Sequence, residues 1–256
     1  MELGLAGRRA LVLASTRGLG QAIAAGLAAE GALVAVSGRD PQTCAAAAAA
    51  LPGATAVPGD LTVPGGAADV VRRAAAELGG LDVVVVNTGG GKPGGLLDVT
   101  EDDELTAYEA MLRPALSAAR AAVPFLRQSP AGRLLFVTAR SVLEASPELA
   151  LSGVFRSGVA AAARSLALEL APQVLVNVLV PGQFDTGALH RFEAALVAHD
   201  AGTPEQVRQR HVAAIPLGRV GRAEEFADLA VFLCSARASY VTGSVLRVDG
   251  GAVRGY

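Results

Sequence analysis

Two glycines in the segment Ala14-Ser15-Thr16-Arg17-Gly18-Leu19-Gly20 are the first residues whose spacing suggests a chemistry. The segment joins the apolar run 10–13 to an Ala-rich stretch of helical character. Gly18 and Gly20 let backbone approach a pyrophosphate, and the N-terminus of the following helix offers it N–H groups and positive potential. Ser15, Arg17 and Leu19 belong to the same loop. Taken alone, Gly-x-Gly fits a tight strand-to-helix turn equally well. Further polar segments recur where apolar runs end: Gly59-Asp60-Leu61-Thr62, Asn87-Thr88-Gly89-Gly90 and Pro181-Gly182, with Thr186 just beyond. Open α/β sheets bind ligands at such carboxyl ends of strands.

The elements that must place these residues are legible as an alternation. Short Val/Leu-rich runs at 10–13, 33–37, 55–57, 83–86, 133–137, 175–180 and 244–248 predict seven strands, separated by Ala-rich helical segments. That order predicts stacked β-α-β units, hence a single doubly wound α/β domain (1–256) with a parallel seven-stranded sheet and helices on both faces. Asp40-Pro41 reads as a helix cap followed by Pro at the first helical position. Thr100 and Asp103 form a capping box, and the acidic run 101–104 suits the positive end of the helix that follows. Pro114 is expected to kink that helix. Residues 183–216 form a long excursion that reads as a substrate lid.

With 256 residues and 52% hydrophobic side chains, the chain can fill a core on both faces of a sheet. A formal net charge of -2 with scattered arginines argues against a nucleic-acid surface, which needs clustered cations. Cys44 and Cys234 lack a metal-ligand or Cys-x-x-Cys spacing, so they read as reduced packing residues of a cytoplasmic protein. No segment reads as a signal peptide or membrane span.

Jointly, the glycine loop, Gly59-Asp60-Leu61-Thr62, Asn87-Thr88-Gly89-Gly90, Pro181-Gly182 with Thr186, and the tail from Pro216-Leu217-Gly218-Arg219 through Val241-Thr242-Gly243 to Asp249-Gly250-Gly251 resemble the short-chain dehydrogenase/reductase family over essentially the whole chain. The resemblance implies a nicotinamide-dinucleotide site, with Asp60 and Leu61 against adenine, Asn87 and Gly89 shaping the central sheet edge, and Thr186 reaching the carboxamide. It also implies a homotetramer or homodimer. Which dinucleotide follows from charge: a carboxylate after the second strand binds ribose hydroxyls, whereas a cation attracts a 2′-phosphate. This chain offers Arg39, with Arg17 beside it, while Asp40 is better placed as a cap. The expected cofactor is NADP(H).

The family's usual Asn, Ser, Tyr and Lys are absent. The tyrosines are Tyr108, Tyr240 and Tyr256 and the only lysine is Lys92, so no Tyr-x-x-x-Lys exists. The alignment of Leu151-Ser152-Gly153-Val154-Phe155-Arg156 with the family's helix puts Ser152 at the Tyr position and Arg156 at the Lys position. Ala139 stands for the Ser and Met111 for the Asn. Arg156 can still meet ribose hydroxyls but cannot relay protons as Lys does. Ser152 can hydrogen-bond a carbonyl but is a poor acid. Stand-ins are Thr138, Ser141, Arg140 as an oxyanion stabiliser, and Lys92 as a displaced acid. His190 and His199 in the lid are further proton carriers to consider.

Two readings follow. One is an NADPH-dependent ketone or aldehyde reductase with a non-standard proton-delivery site, acting on a small carbonyl substrate. The other is a catalytically silent NADP(H)-binding or structural partner subunit, or a non-redox enzyme on the same scaffold.

Overall fold

In a computed structural model, residues 2–198 and 202–254 are described. Seven strands pair in parallel in the order β3-β2-β1-β4-β5-β6-β7: β1 (Arg9–Val12), β2 (Leu33–Val36), β3 (Thr55–Ala56), β4 (Val83–Val86), β5 (Gly132–Val137), β6 (Val174–Pro181) and β7 (Val245–Val248). The strand order reverses between β1 and β4, and the crevice outside their carboxyl ends is the switch point of a doubly wound sheet. Every residue of β4 and β5 is buried, as expected for strands covered on both faces.

Alternation along β1 distributes the core. Leu11 points into a cluster with Val70, Ala118 and Ala163, from the helices α3 (Gly66–Leu78), α5 (Arg113–Leu126) and α6 (Ala150–Leu170). Ala10 and Val12 face the other side, against Ile23, Ala47 and Phe226 of α1 (Gly18–Ala29), α2 (Pro41–Ala49) and α9 (Ala223–Cys234). The two helix starts signalled in the sequence are built as expected. Asp40 caps α2 by accepting from the Thr43 N–H at 2.7 Å, and Thr100 with Asp103 makes the capping box of α4 (Glu101–Ala107).

The expected bend at Pro114 takes a specific form. A π-helical turn, Tyr108–Leu112, separates α4 from α5, and Pro114 lies in the first turn of α5. Proline has no N–H for the carbonyl four residues back, and its ring crowds that carbonyl, so the helix widens just before it. Met111 is carried in this turn and is fully buried.

Residues 183–216 fold largely as two helices, α7 (Gly187–Ala198) and α8 (Pro204–Ala213). They are clamped by Arg208 to Glu193 at 3.2 Å, His211 to Glu193 at 3.0 Å, and a stacked Phe192–His211 pair with ring centroids 5.9 Å apart. No helix among the described residues is long and apolar enough to cross a membrane.

Candidate active site

The switch-point loop is tied to both neighbouring strands. Ala14 adopts a left-handed conformation, φ +48°, which a non-glycine residue holds only when its surroundings impose it. Its N–H donates to Ser37 Oγ at 3.1 Å, and its carbonyl accepts from Asn87 Nδ2 at 3.1 Å, so β2, the loop and the β4 end are joined across the crevice. Ser15 is turned inward: its hydroxyl donates to the Val12 carbonyl at 2.6 Å and accepts from the Ser37 N–H at 3.0 Å. The hydroxyl of Ser15, a residue expected among the cofactor ligands, thus also shapes the loop.

The loop is built for close backbone approach. A Cβ on Gly20 would lie 2.5 Å from the Ala14 carbonyl and 2.8 Å from Asn87 Nδ2. Gly18 has φ +58° and lies opposite Thr186, whose side chain would be 3.7 Å from a Cβ there. Arg17 is the N-cap residue of α1 and makes no side-chain cap, and the first turn of α1 carries no acidic side chain, leaving its N–H groups and positive end without a competing anion. Leu19 packs partly against the core on the α1 side. These features fit a pyrophosphate on this loop.

Around the crevice, Arg39 and Arg17 are exposed, while the Asp40 carboxylate is committed to Thr43, whose hydroxyl and N–H hold it below the usual carboxylate range. Asp60 folds back on its own turn, accepting from the Thr62 N–H at 2.8 Å and hydroxyl at 2.7 Å. The Thr62 contacts, with a smaller contribution from the charge of Arg39, hold the Asp60 carboxyl low. Leu61 is buried beside it. On the far side Pro181 ends β6, and the Gly182 N–H donates to Val248 at 2.8 Å.

At the β5–α6 end the structure pairs two residues that sequence reading named separately. Ser141 follows β5 in a short 3-10 turn and is buried; its hydroxyl donates to Ser152 Oγ at 3.1 Å. No motif spacing announced this pair, because it depends on how the 138–149 segment returns to α6. Thr138 is buried at the strand end, its hydroxyl 3.5 Å from the Leu179 carbonyl. Ala139 carries no polar group.

Arg156 is placed differently from the ribose expectation. It is only 7% exposed and its terminal nitrogens point into the protein. Nη1 donates to Thr88 Oγ1 and the Val137 carbonyl at 3.2 and 3.1 Å, and Nη2 to the Thr88 and Gly89 carbonyls at 3.4 and 2.6 Å. The forked guanidinium thus straps the β4 loop to the end of β5. Burial lowers its pKa to about 10, and every acceptor is neutral. Met111, where the family's Asn is expected, packs with Ala107 and Leu151 and would meet a Cβ on Gly91 at 2.9 Å.

The remaining candidates lie in other settings. Lys92 is half-exposed and ion-paired with Asp103 at 2.7 Å. Arg140 opens the same 3-10 turn as Ser141 and contributes to keeping Glu148 low, behind the Ser146 hydroxyl. His190 is exposed and pairs with Asp185 at 2.9 Å; His199 and Tyr256 lie outside the described residues. Arg113, unremarked in the sequence, donates to the Thr62 carbonyl and pairs with Glu109 at 2.9 Å, linking the Asp60 turn to α5.

Comparison with known proteins agrees with this fold. The family described as enoyl-(acyl carrier protein) reductase matches residues 13–253. A rhamnolipids biosynthesis 3-oxoacyl-[acyl-carrier-protein] reductase of Pseudomonas aeruginosa is 34% identical, with 96% of each chain covered. Dehydrogenase/reductase SDR family member 4 of Homo sapiens is 32% identical over 96% of this chain and 88% of its own. Among solved structures, L-sorbose reductase of Gluconobacter frateurii, complexed with NADPH and L-sorbose, superposes with a TM-score of 0.92 at 27% identity over the whole of both chains. On the family match, the full-length relatives and the shared architecture, the chain belongs to the short-chain dehydrogenase/reductase family.

Proposed function

We propose that this chain is an NADPH-dependent reductase of small carbonyl compounds, ketones or aldehydes, with a serine pair in place of a titrating acid. The carrying observation is the loop in which Ala14, Gly20 and Asn87 meet so closely that no side chain fits at Gly20. Relatives support the choice of cofactor: a 26% identical Bacillus subtilis protein is named an NADPH-dependent reductase, and the sorbose reductase structure holds NADPH. Gly18, Leu19, Gly20 and the first turn of α1 hold the pyrophosphate. Arg17 and Arg39 take the 2′-phosphate, and Asp60, Leu61, Asn87, Gly89, Pro181, Gly182 and Thr186 complete the crevice.

When bound, NADPH supplies a hydride. The chain's own contribution is to hold the substrate oxygen through the Ser152 hydroxyl, which is itself oriented by Ser141. Arg156 fixes the Thr88–Gly89 floor from below. Lys92, Thr138 and Arg140 touch no part of this pair in the hydrogen bonds described, and stand as secondary candidates. The protein is taken as cytoplasmic and homo-oligomeric, with exposed Leu97, Leu105 and Val154 as apolar surface for a second copy.

Burial of Arg156 and the apolar Met111 also favour a second reading, a dinucleotide-binding subunit without turnover. NADPH binding followed by fluorescence, then NADPH oxidation with a panel of carbonyl compounds, separates them. Turnover by the isolated chain supports the reductase; tight binding with no substrate consumed supports the silent subunit.

A further inference from the structure

The segment that follows β3 has little sheet to hold it. β3 is a two-residue strand at the edge, paired only with β2, and beyond it the Val57 and Gly59 N–H groups donate to Val36 and Gly38 at 2.8 and 2.9 Å. The turn itself is closed by the Asp60 carboxylate, which accepts from the Thr62 N–H and hydroxyl. Such a turn fixes its own shape but not where it lies relative to the crevice.

Two arginines from different helices supply that placement. Arg73 of α3 donates from Nη2 to the Pro58 carbonyl at 2.6 Å, at the start of the segment, and Arg113 of α5 donates from Nη2 to the Thr62 carbonyl at its end. Each is held by a carboxylate four residues earlier on its own helix: Arg73 Nε by Asp69 at 2.8 Å, and Arg113 Nη1 by Glu109 at 2.9 Å. The Arg113 guanidinium also lies over the Tyr108 ring, 5.9 Å from its centroid. As stabilising contacts these are poor. Ion pairs on partly exposed helix faces add little to folding, and Arg113 Nε is buried with no hydrogen-bond partner among the described residues, which is unfavourable. What the two arginines do is fix the backbone at both ends of 58–62, and with it Asp60 and Leu61.

We infer that Arg73 and Arg113 are positioning residues for the adenosine half of NADP(H), together holding the 58–62 segment where Asp60 and Leu61 meet the adenine ring. The inference rests on the placement of adenine against those two residues proposed above. Neither guanidinium need touch the cofactor, because the nitrogen that each turns towards the segment is committed to a backbone carbonyl. Their contribution is preorganisation: a segment in its binding arrangement only about a tenth of the time binds its ligand about tenfold more weakly.

The test uses the full chain and two ligands, NADPH followed by fluorescence and adenosine 2′,5′-bisphosphate followed by calorimetry. Arg73→Met and Arg113→Met should each weaken both ligands about tenfold, the scale of one hydrogen bond from a charged donor, while the emission of bound nicotinamide at saturation stays that of the parent. Asp69→Asn and Glu109→Gln separate clamping from attraction. Each adds net positive charge near an anionic ligand, so attraction at a distance predicts tighter binding, whereas a loosened arginine should weaken it roughly threefold. Affinity within about twofold of the parent when both arginines are replaced by Met overturns this inference and leaves the reductase reading standing. Tighter binding on removal of the carboxylates, or a changed nicotinamide emission in the Met variants, overturns it in the same way. Binding of neither ligand by the parent chain overturns the cofactor placement, and this inference with it.

Discussion

The β1–α1 loop and the β5–α6 serine pair lie at the same carboxyl end of one sheet, yet they place opposite demands on sequence. The loop works through backbone: a left-handed Ala14, a Gly20 with no room for a Cβ, and an Asn87 amide closing the gap. Few residues satisfy that geometry, so its form stays recognisable. The serine pair, by the function proposed for it, depends on side-chain chemistry, and the four positions where the family resemblance leads one to expect polar groups hold Met111, Ala139, Ser152 and Arg156. Sheet, helix and core tolerate those residues because each finds a local solution: Met111 in an apolar pocket, Arg156 against carbonyls. A scaffold can therefore keep the shape of this loop while the side chains beside it differ.

The comparison breaks most sharply at Gly20. Gly20→Ala forces a methyl group against the Ala14 carbonyl and Asn87, and should weaken NADPH binding about 100-fold, roughly 3 kcal/mol, in a fluorescence titration. An unchanged affinity would move the cofactor off this loop. Asn87→Ala removes one hydrogen bond across the switch point and should cost about 1 kcal/mol, near a fivefold loss of affinity. At the other site, Arg156→Lys keeps the charge but loses the forked reach to the Thr88, Gly89 and Val137 acceptors. Stability in urea should fall by about 1 kcal/mol with NADPH affinity little changed; a selective loss of affinity would instead make Arg156 a cofactor ligand.

The smallest effect on either site is expected at the opposite, amino end of the sheet. Burial alone would raise the Asp82 carboxyl, but hydrogen bonds from Arg9 and Ser129 outweigh it and hold the group well below the carboxylate range. A lowered folded-state pKa means that its stabilisation is present above the unfolded value, near 3.8, and is lost as pH falls below it. Asp82→Asn should flatten the decline of stability in that acid range, measured by urea unfolding across pH, and leave NADPH binding and turnover unaltered.

What was legible in the sequence follows the same division. The seven strands, the Asp40 cap and the Thr100–Asp103 box are local patterns, and the structure places them within a residue or two. The bend at Pro114 was legible as a consequence of the missing N–H, though not as a π-helical turn, which depends on how Met111 is accommodated. The Ser141–Ser152 hydrogen bond and the inward turn of Arg156 were not legible. Both depend on where the 138–149 segment comes to rest, and no short-range pattern encodes that. Lys92 looked suited to acid chemistry from its loop alone; its ion pair with Asp103 comes from the neighbouring capping box.

The central claim is that cofactor binding and substrate-oxygen binding reside in separable parts of this crevice. Measuring NADPH affinity and kcat/KM side by side for Ser152→Ala tests it most directly. The account predicts affinity within about twofold of the parent and kcat/KM lower by about 100-fold. A parallel loss of affinity, or turnover that survives the substitution intact, would contradict it.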